Sequence, residues 1–176
     1  MLTIRNATPT DTALMLKFIK GLAEYERAPN SVAATEEDLL RDGFGPGPKY
    51  RCVIAEWENR PAGFAFFFYN YSTWRGRAGL YLEDLFVIPE MRGKGIGKAL
   101  LQRVAEIAML ENCYGIAWMV LEWNEPALKF YESLGAEMLG DWETMRLTGA
   151  ALERLAKESG ALTTLGKKVS RVGSKE

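Results

Sequence analysis

The residues best placed to do chemistry in this 176-residue chain are Arg92-Gly93-Lys94-Gly95-Ile96-Gly97. They follow an apolar run and open an amphipathic one, the setting of a strand-to-helix turn. Glycines let a backbone approach a ligand closely. Consecutive amides at a helix N-terminus favour phosphate oxygens, and Arg92 and Lys94 add positive charge at the same spot. The spacing lacks the long gap and Gly-Lys-Ser/Thr of the nucleoside-triphosphate loop. It also departs from the dinucleotide Gly-x-Gly-x-x-Gly. A flexible turn ahead of a surface helix is the plainer alternative, but three glycines in five positions are costly unless something approaches closely.

Two carboxylates stand just before that loop. Strand alternation over Leu80–Ile88 puts Glu83 on a face with Tyr81, Leu85 and Val87, and Asp84 on a face with Leu80, Leu82, Phe86 and Ile88. Both faces are otherwise apolar, as expected of a central strand covered on both sides. Each carboxylate therefore has little water and must be paired, hydrogen-bonded or set at a cleft. For Asp84, capping of backbone amides at a bulge and a place in a site remain open. Histidine is absent, which removes Ser–His and Cys–His hydrolases, the usual zinc enzymes and the commonest general base. Proton chemistry then falls to carboxylates and tyrosine. Cys52 and Cys113 stand in apolar contexts far apart and read as buried free thiols of a reducing compartment.

The elements that must position these groups are readable from pattern. Leu2–Asn6 alternates as a short strand, and Thr8-Pro9-Thr10-Asp11 opens a helix over Thr12–Tyr25. Thr35-Glu36-Glu37-Asp38 starts a brief helix ending near Asp42, where Gly43–Pro48 forms a breaker cluster. Tyr50–Trp57 and Ala62–Tyr71 read as a hairpin. After Leu80–Ile88 comes a helix over Gly95–Leu110, a buried strand over Tyr114–Leu121, and a helix over Glu125–Leu134 stopped by Gly135. Weak strands at Ala136–Leu139 and Glu143–Leu147 precede a helix from Gly149 to Lys157. The order is that of a mixed α/β (α+β) domain rather than a regular βαβ array.

Composition agrees with one globular domain over residues 1–158, followed by a basic tail over 159–176. Hydrophobic residues make up 48% and charged residues 26%, and 22 basic against 23 acidic side chains give a net charge of −1. That balance speaks against a nucleic-acid partner. The uncharged stretch Pro61–Trp74 falls short of the ~18 residues of a membrane span, and the N-terminus lacks a signal-peptide core. A cytoplasmic protein without membrane or metal partner is the expectation.

The loop spacing matches Arg/Gln-x-x-Gly-x-Gly/Ala, and here the chain resembles the GNAT N-acetyltransferases. Tyr81-Leu82-Glu83-Asp84-Leu85-Phe86-Val87, Glu122-Trp123-Asn124-Glu125-Pro126, Phe130-Tyr131, and Asp38-Leu39-Leu40 with Asp42-Gly43-Phe44-Gly45 resemble its spermidine/spermine (diamine) and thialysine branch. The likeness runs from about residue 2 to 157. It implies a mostly antiparallel central sheet flanked by helices and splayed where acetyl-CoA binds, with acetyl-CoA as co-substrate. Arg92 through Lys98 would hold its diphosphate. Backbone groups along Leu85, Phe86 and Val87, with Asn124, Pro126 and Ala127, would hold the pantetheine and thioester. Tyr131 would protonate the departing thiolate, and Glu83 would contact the amine and take its proton.

On the acceptor side the resemblance implies Tyr25, Glu26, Glu83 and Glu143 as a groove for a small cationic primary amine. Tyr71-Ser72-Thr73-Trp74 with Gly76-Arg77 is closer to the thialysine branch, while Glu24 and Ala117 depart from the mammalian polyamine enzyme. Diamines, polyamines and thialysine-like amino acids all remain acceptors. Acetylation of a protein or peptide amine, or non-catalytic acyl-CoA sensing, are the alternatives. The branch is commonly dimeric, so a homodimer is expected.

Overall fold

The computed structural model describes residues 1–140 and 142–158. It divides into two compact units, Met1–Asn124 and Glu125–Glu176. The expected basic tail lies outside the described residues.

The first unit is built on a sheet of five strands in chain order. These are β1 (Leu2–Asn6), β2 (Arg51–Trp57), β3 (Arg60–Ser72), β4 (Arg77–Val87) and β5 (Ile116–Ala117). All neighbours are antiparallel except β4 and β5, which run parallel. β2 and β3 form the expected hairpin around Glu58 and Asn59. Both residues are left-handed (φ 51° and 61°), the geometry whose twist matches that of the flanking strands.

Helices cover both faces. α1 (Thr12–Tyr25) and α2 (Glu36–Phe44) bury Met15, Phe18 and Leu39 against Tyr50, Cys52, Ile54, Phe64 and Phe86. Phe18 lies 5.4 Å from Phe64 and 6.1 Å from Phe86, ring to ring. Burying each such ring stabilises the fold by about 1.5–3 kcal/mol. α3 (Ile96–Leu110) contributes Ile96, Leu100, Leu101, Val104 and Ile107 to the opposite face. As the crossover between parallel β4 and β5, it must follow a long connection rather than a hairpin.

Three local expectations are corrected. α2 runs past Asp42 through Gly43 to Phe44 because the Tyr50 ring lies on the helix there. A Cβ at position 43 would meet that ring at 2.4 Å, and the Tyr50 hydroxyl donates to the Leu39 carbonyl at 2.6 Å. Secondly, the apolar run Tyr114–Leu121 pairs only at Ile116 and Ala117. Met119 and Leu121 are 65% and 40% exposed, so that run is not a buried strand. Thirdly, Ala136–Leu139 and Glu143–Leu147 form no strand, and their large apolar side chains are exposed.

The second unit holds α4 (Glu125–Glu132) and α5 (Gly149–Glu158). α4 ends at Glu132, short of the expected Leu134, and Gly135 closes the turn that follows it. That residue is left-handed (φ 85°), and the Gly135 and Ala136 amides bond back to the Glu132 and Tyr131 carbonyls.

Candidate active site

The glycine loop turns on two left-handed residues, Gly93 (φ 76°) and Gly95 (φ 78°), a conformation that costs other L-residues roughly 1–2 kcal/mol. Added Cβ atoms at these positions would meet nothing within 4 Å. The glycines are therefore required by backbone conformation, and the loop faces open space rather than a packed protein neighbour. Gly97 lies in the first turn of α3.

Gly95 caps α3 without a side-chain acceptor, and the first turn holds no acidic residue. The first intrahelical bond runs from the Ala99 amide to the Gly95 carbonyl at 3.0 Å. The amides of Ile96, Gly97 and Lys98 thus precede the ladder as unsatisfied donors. With Arg92, Lys94 and Lys98 exposed around them, this end of the helix has the donor set and field that an anion requires.

The adjoining part of β4 supplies a second row of donors. β5 reaches only Leu80 and Tyr81, so β4 beyond Leu82 has no strand on that side among the described residues. The Ile88 amide donates to Ala62 at 2.9 Å, on the β3 side. By alternation the amides of Leu85 and Val87 point the other way, into the splay. Phe86 does not join them. Its amide faces β3 and its ring lies in the core, so it holds the strand instead of offering a donor.

A bulge between Leu82 and Asp84 makes Glu83 the extra residue opposite Phe66 and Phe67. It breaks the simple alternation. Asp84 shares a face with Phe66 and Phe86, while Glu83 is exposed. The expectation that Glu83 has little water is therefore corrected, because a bulge re-aims a side chain in this way. Asp84 is the carboxylate drawn out of water. Its pKa is pushed up to about 7, first by burial and then by the charges of Glu83 and Glu26. No hydrogen bond or cation partners it among the described residues, so it does not cap backbone amides. Desolvation also raises Glu26. With Glu83 and Glu26 close enough to raise it, Asp84 belongs to a cation-seeking corner that holds a proton acceptor near neutrality.

Tyr25, at the C-terminus of α1, meets the glycine loop directly. The Arg92 guanidinium stacks over its ring at 4.5 Å, and Arg92 Nε donates to the Val87 carbonyl at 3.0 Å. The Tyr25 hydroxyl donates to Asn124 Oδ1 at 2.9 Å. Asn124 is buried and follows an irregular segment rather than the end of a strand. Lys94 rests 5.3 Å above the Trp57 ring.

The first unit thus brings together Tyr25, Val87, Arg92 and Asn124, and separately Glu26, Glu83 and Asp84. Pro126, Ala127, Tyr131 and Glu143 belong to the second unit. There Tyr131 is half-buried beside Phe130, ring centroids 5.1 Å apart, and Glu143 is exposed. Sequence reasoning gave no role to Arg27 or Trp123, which stack at 4.3 Å.

A helix N-terminus with open amides beside a splayed strand is a place for a phosphorylated acyl carrier. The family comparison decides which kind: residues 18–136 match the Acetyltransferase (GNAT) family. The chain belongs to that family. As a GNAT acetyltransferase it is 40% identical over 164 residues to a thialysine N-epsilon-acetyltransferase of Bos taurus, covering 87% of this chain and 96% of the relative. It is 36% identical to a spermidine/spermine N(1)-acetyltransferase-like protein 1 of Homo sapiens, covering 88% of this chain and 24% of that longer one. Among solved structures, an integron cassette protein from the mobile metagenome of V. cholerae superposes with a TM-score of 0.74. It is 29% identical, and the match covers 89% of this chain and 98% of that one. The expected mixed fold and the acetyltransferase activity are both established by this kinship. GNAT acetyltransferases use acetyl-CoA. No helix among the described residues is long and apolar enough to cross a membrane.

Proposed function

We propose that this acetyltransferase moves the acetyl group of acetyl-CoA directly to a primary amine of a small cationic substrate, a thialysine-like amino acid, diamine or polyamine. The observation that carries the reading is the juxtaposition of open α3 amides with the splayed side of β4. The amides of Ile96, Gly97 and Lys98, within the Arg92–Lys98 field, would hold the coenzyme's diphosphate. The Leu85 and Val87 amides, with Asn124, Pro126 and Ala127, would hold the pantetheine and thioester carbonyl, stabilising charge as it develops there.

An amine with a pKa near ~10 is mostly protonated at neutral pH and must lose a proton before it attacks. Glu26, Glu83 and Asp84 would attract the ammonium. Glu83, exposed at the bulge, would receive its proton directly or through water. Asp84, with its raised pKa, is a second acceptor that the carboxylate cluster makes available. Tyr131 would protonate the departing thiolate, since a phenol holds its proton at neutral pH. Tyr25 and Glu143 complete the acceptor groove in this reading. Neither cysteine serves as a nucleophile: both are buried and free, and burial raises both thiols. Direct attack therefore replaces a covalent relay. A homodimer, carried by the branch resemblance, and a cytoplasmic location, which the two free buried thiols support, belong to the same proposal.

The test is thiol release from acetyl-CoA across a panel of free amines and peptides. At least one of thialysine, the diamines and the polyamines should be turned over, with Tyr131→Phe lowering kcat by about a hundredfold while coenzyme affinity holds. Turnover confined to peptide amines would overturn the substrate class.

A further inference from the structure

Resting on the donor reading above, we infer that Tyr25 is a positioning residue for the coenzyme as well as an acceptor-side contact. Its ring sets the diphosphate-side cation Arg92, and its hydroxyl sets the pantetheine-side amide Asn124. The two halves of one side chain face two different jobs. The ring lies 4.5 Å under the Arg92 guanidinium, which is also tethered by Nε to the Val87 carbonyl at 3.0 Å. Among the described residues Arg92 forms no ion pair, so its terminal nitrogens keep their donors and charge for an external anion. The hydroxyl, one ring away, donates to the buried Asn124 at 2.9 Å.

The helix end that carries Tyr25 is itself held. The Ala28 amide bonds to the Ala23 carbonyl at 2.8 Å and the Arg27 amide to Glu24 at 3.1 Å. Arg27 adopts the left-handed conformation (φ 62°) usually left to glycine at a helix C-terminus. Its guanidinium then stacks 4.3 Å from the Trp123 ring, and Trp123 lies 6.1 Å from the Tyr25 ring. Arg92, Tyr25, Trp123 and Arg27 form a continuous ladder of cations and aromatics from the glycine loop to the segment before Asn124. A change at Tyr25 is thereby read at the donor site, although α1 contributes no glycine or amide to it.

Two ligands separate the two jobs. Coenzyme A carries diphosphate and pantetheine; 3′-phosphoadenosine 5′-diphosphate keeps the diphosphate and lacks the pantetheine. Their affinities are measured by titration calorimetry for the wild type, Tyr25→Phe and Tyr25→Leu. Tyr25→Phe keeps the ring, so it should bind the truncated nucleotide as the wild type does and coenzyme A about fivefold more weakly. Tyr25→Leu should weaken both ligands by about fivefold or more. If both variants bind both ligands as the wild type does, or lose both alike, the inference is overturned while the donor reading stands. If the wild type binds neither ligand, the donor reading falls and takes the inference with it.

Discussion

Asp84 illustrates how one backbone irregularity changes the meaning of a side chain. Strict alternation gave Glu83 and Asp84 equivalent surroundings. The bulge at Glu83 leaves that carboxylate in water and turns Asp84 toward Phe66 and Phe86. Nothing in the sequence marks the extra residue, because a bulge is a property of the pairing with β3. The energetic consequence has a definite sign. Asp84 titrates near 7 in the folded protein against 3.8 as an ordinary aspartate, so the native state binds more protons than the unfolded one between these values. Its contribution favours folding below the lower value and is lost as pH rises through the higher one. Asp84→Asn should therefore raise the urea midpoint at about pH 8 and lose that advantage toward about pH 4. A gain that does not change with pH would assign the effect to packing.

The helix α3 was legible almost to the residue, from its glycine start to Leu110, because its apolar stripe has the helical period. Its N-terminal glycines were legible as special but not as different from one another. Gly93 and Gly95 are left-handed, whereas Gly97 lies within the helix. The two classes predict opposite stabilities. Gly95→Ala should lower stability by about 1 kcal/mol, whereas Gly97→Ala should raise it by about 1 kcal/mol on helix propensity. Both should weaken coenzyme binding, the first by shifting the amides and the second by placing a methyl group against the diphosphate. Thermal denaturation with and without coenzyme reads both effects. A Gly97→Ala protein that is more stable and binds undiminished would show that α3 needs no close approach. β5 shows the converse limit. Its apolar run satisfies the pattern of a buried strand, yet a strand exists only where a partner runs beside it, and here that partner is Leu80–Tyr81.

Across the whole molecule, a net charge of −1 conceals two fields of opposite sign. Cations gather where α3 begins, and carboxylates gather at the β4 bulge and the end of α1, as transfer from an anionic carrier to a cationic acceptor requires. The β2–β3 hairpin, the helices α1 and α3 and the glycine loop were readable because each rests on local period or turn chemistry, whereas the flanked sheet was implied only by the family resemblance. The segment from Ala136 to Leu147 was not readable. Its alternating apolar residues suggest strands, but alternation specifies a strand only when a face is buried, and Met138, Leu139, Trp142 and Met145 are 72–90% exposed. The central claim is that bare amides at the start of α3 hold the coenzyme's diphosphate. Titration calorimetry of coenzyme A into the wild-type protein tests it most directly: a saturable single-site heat that weakens with added salt is the predicted result, and no heat at saturating coenzyme would contradict it.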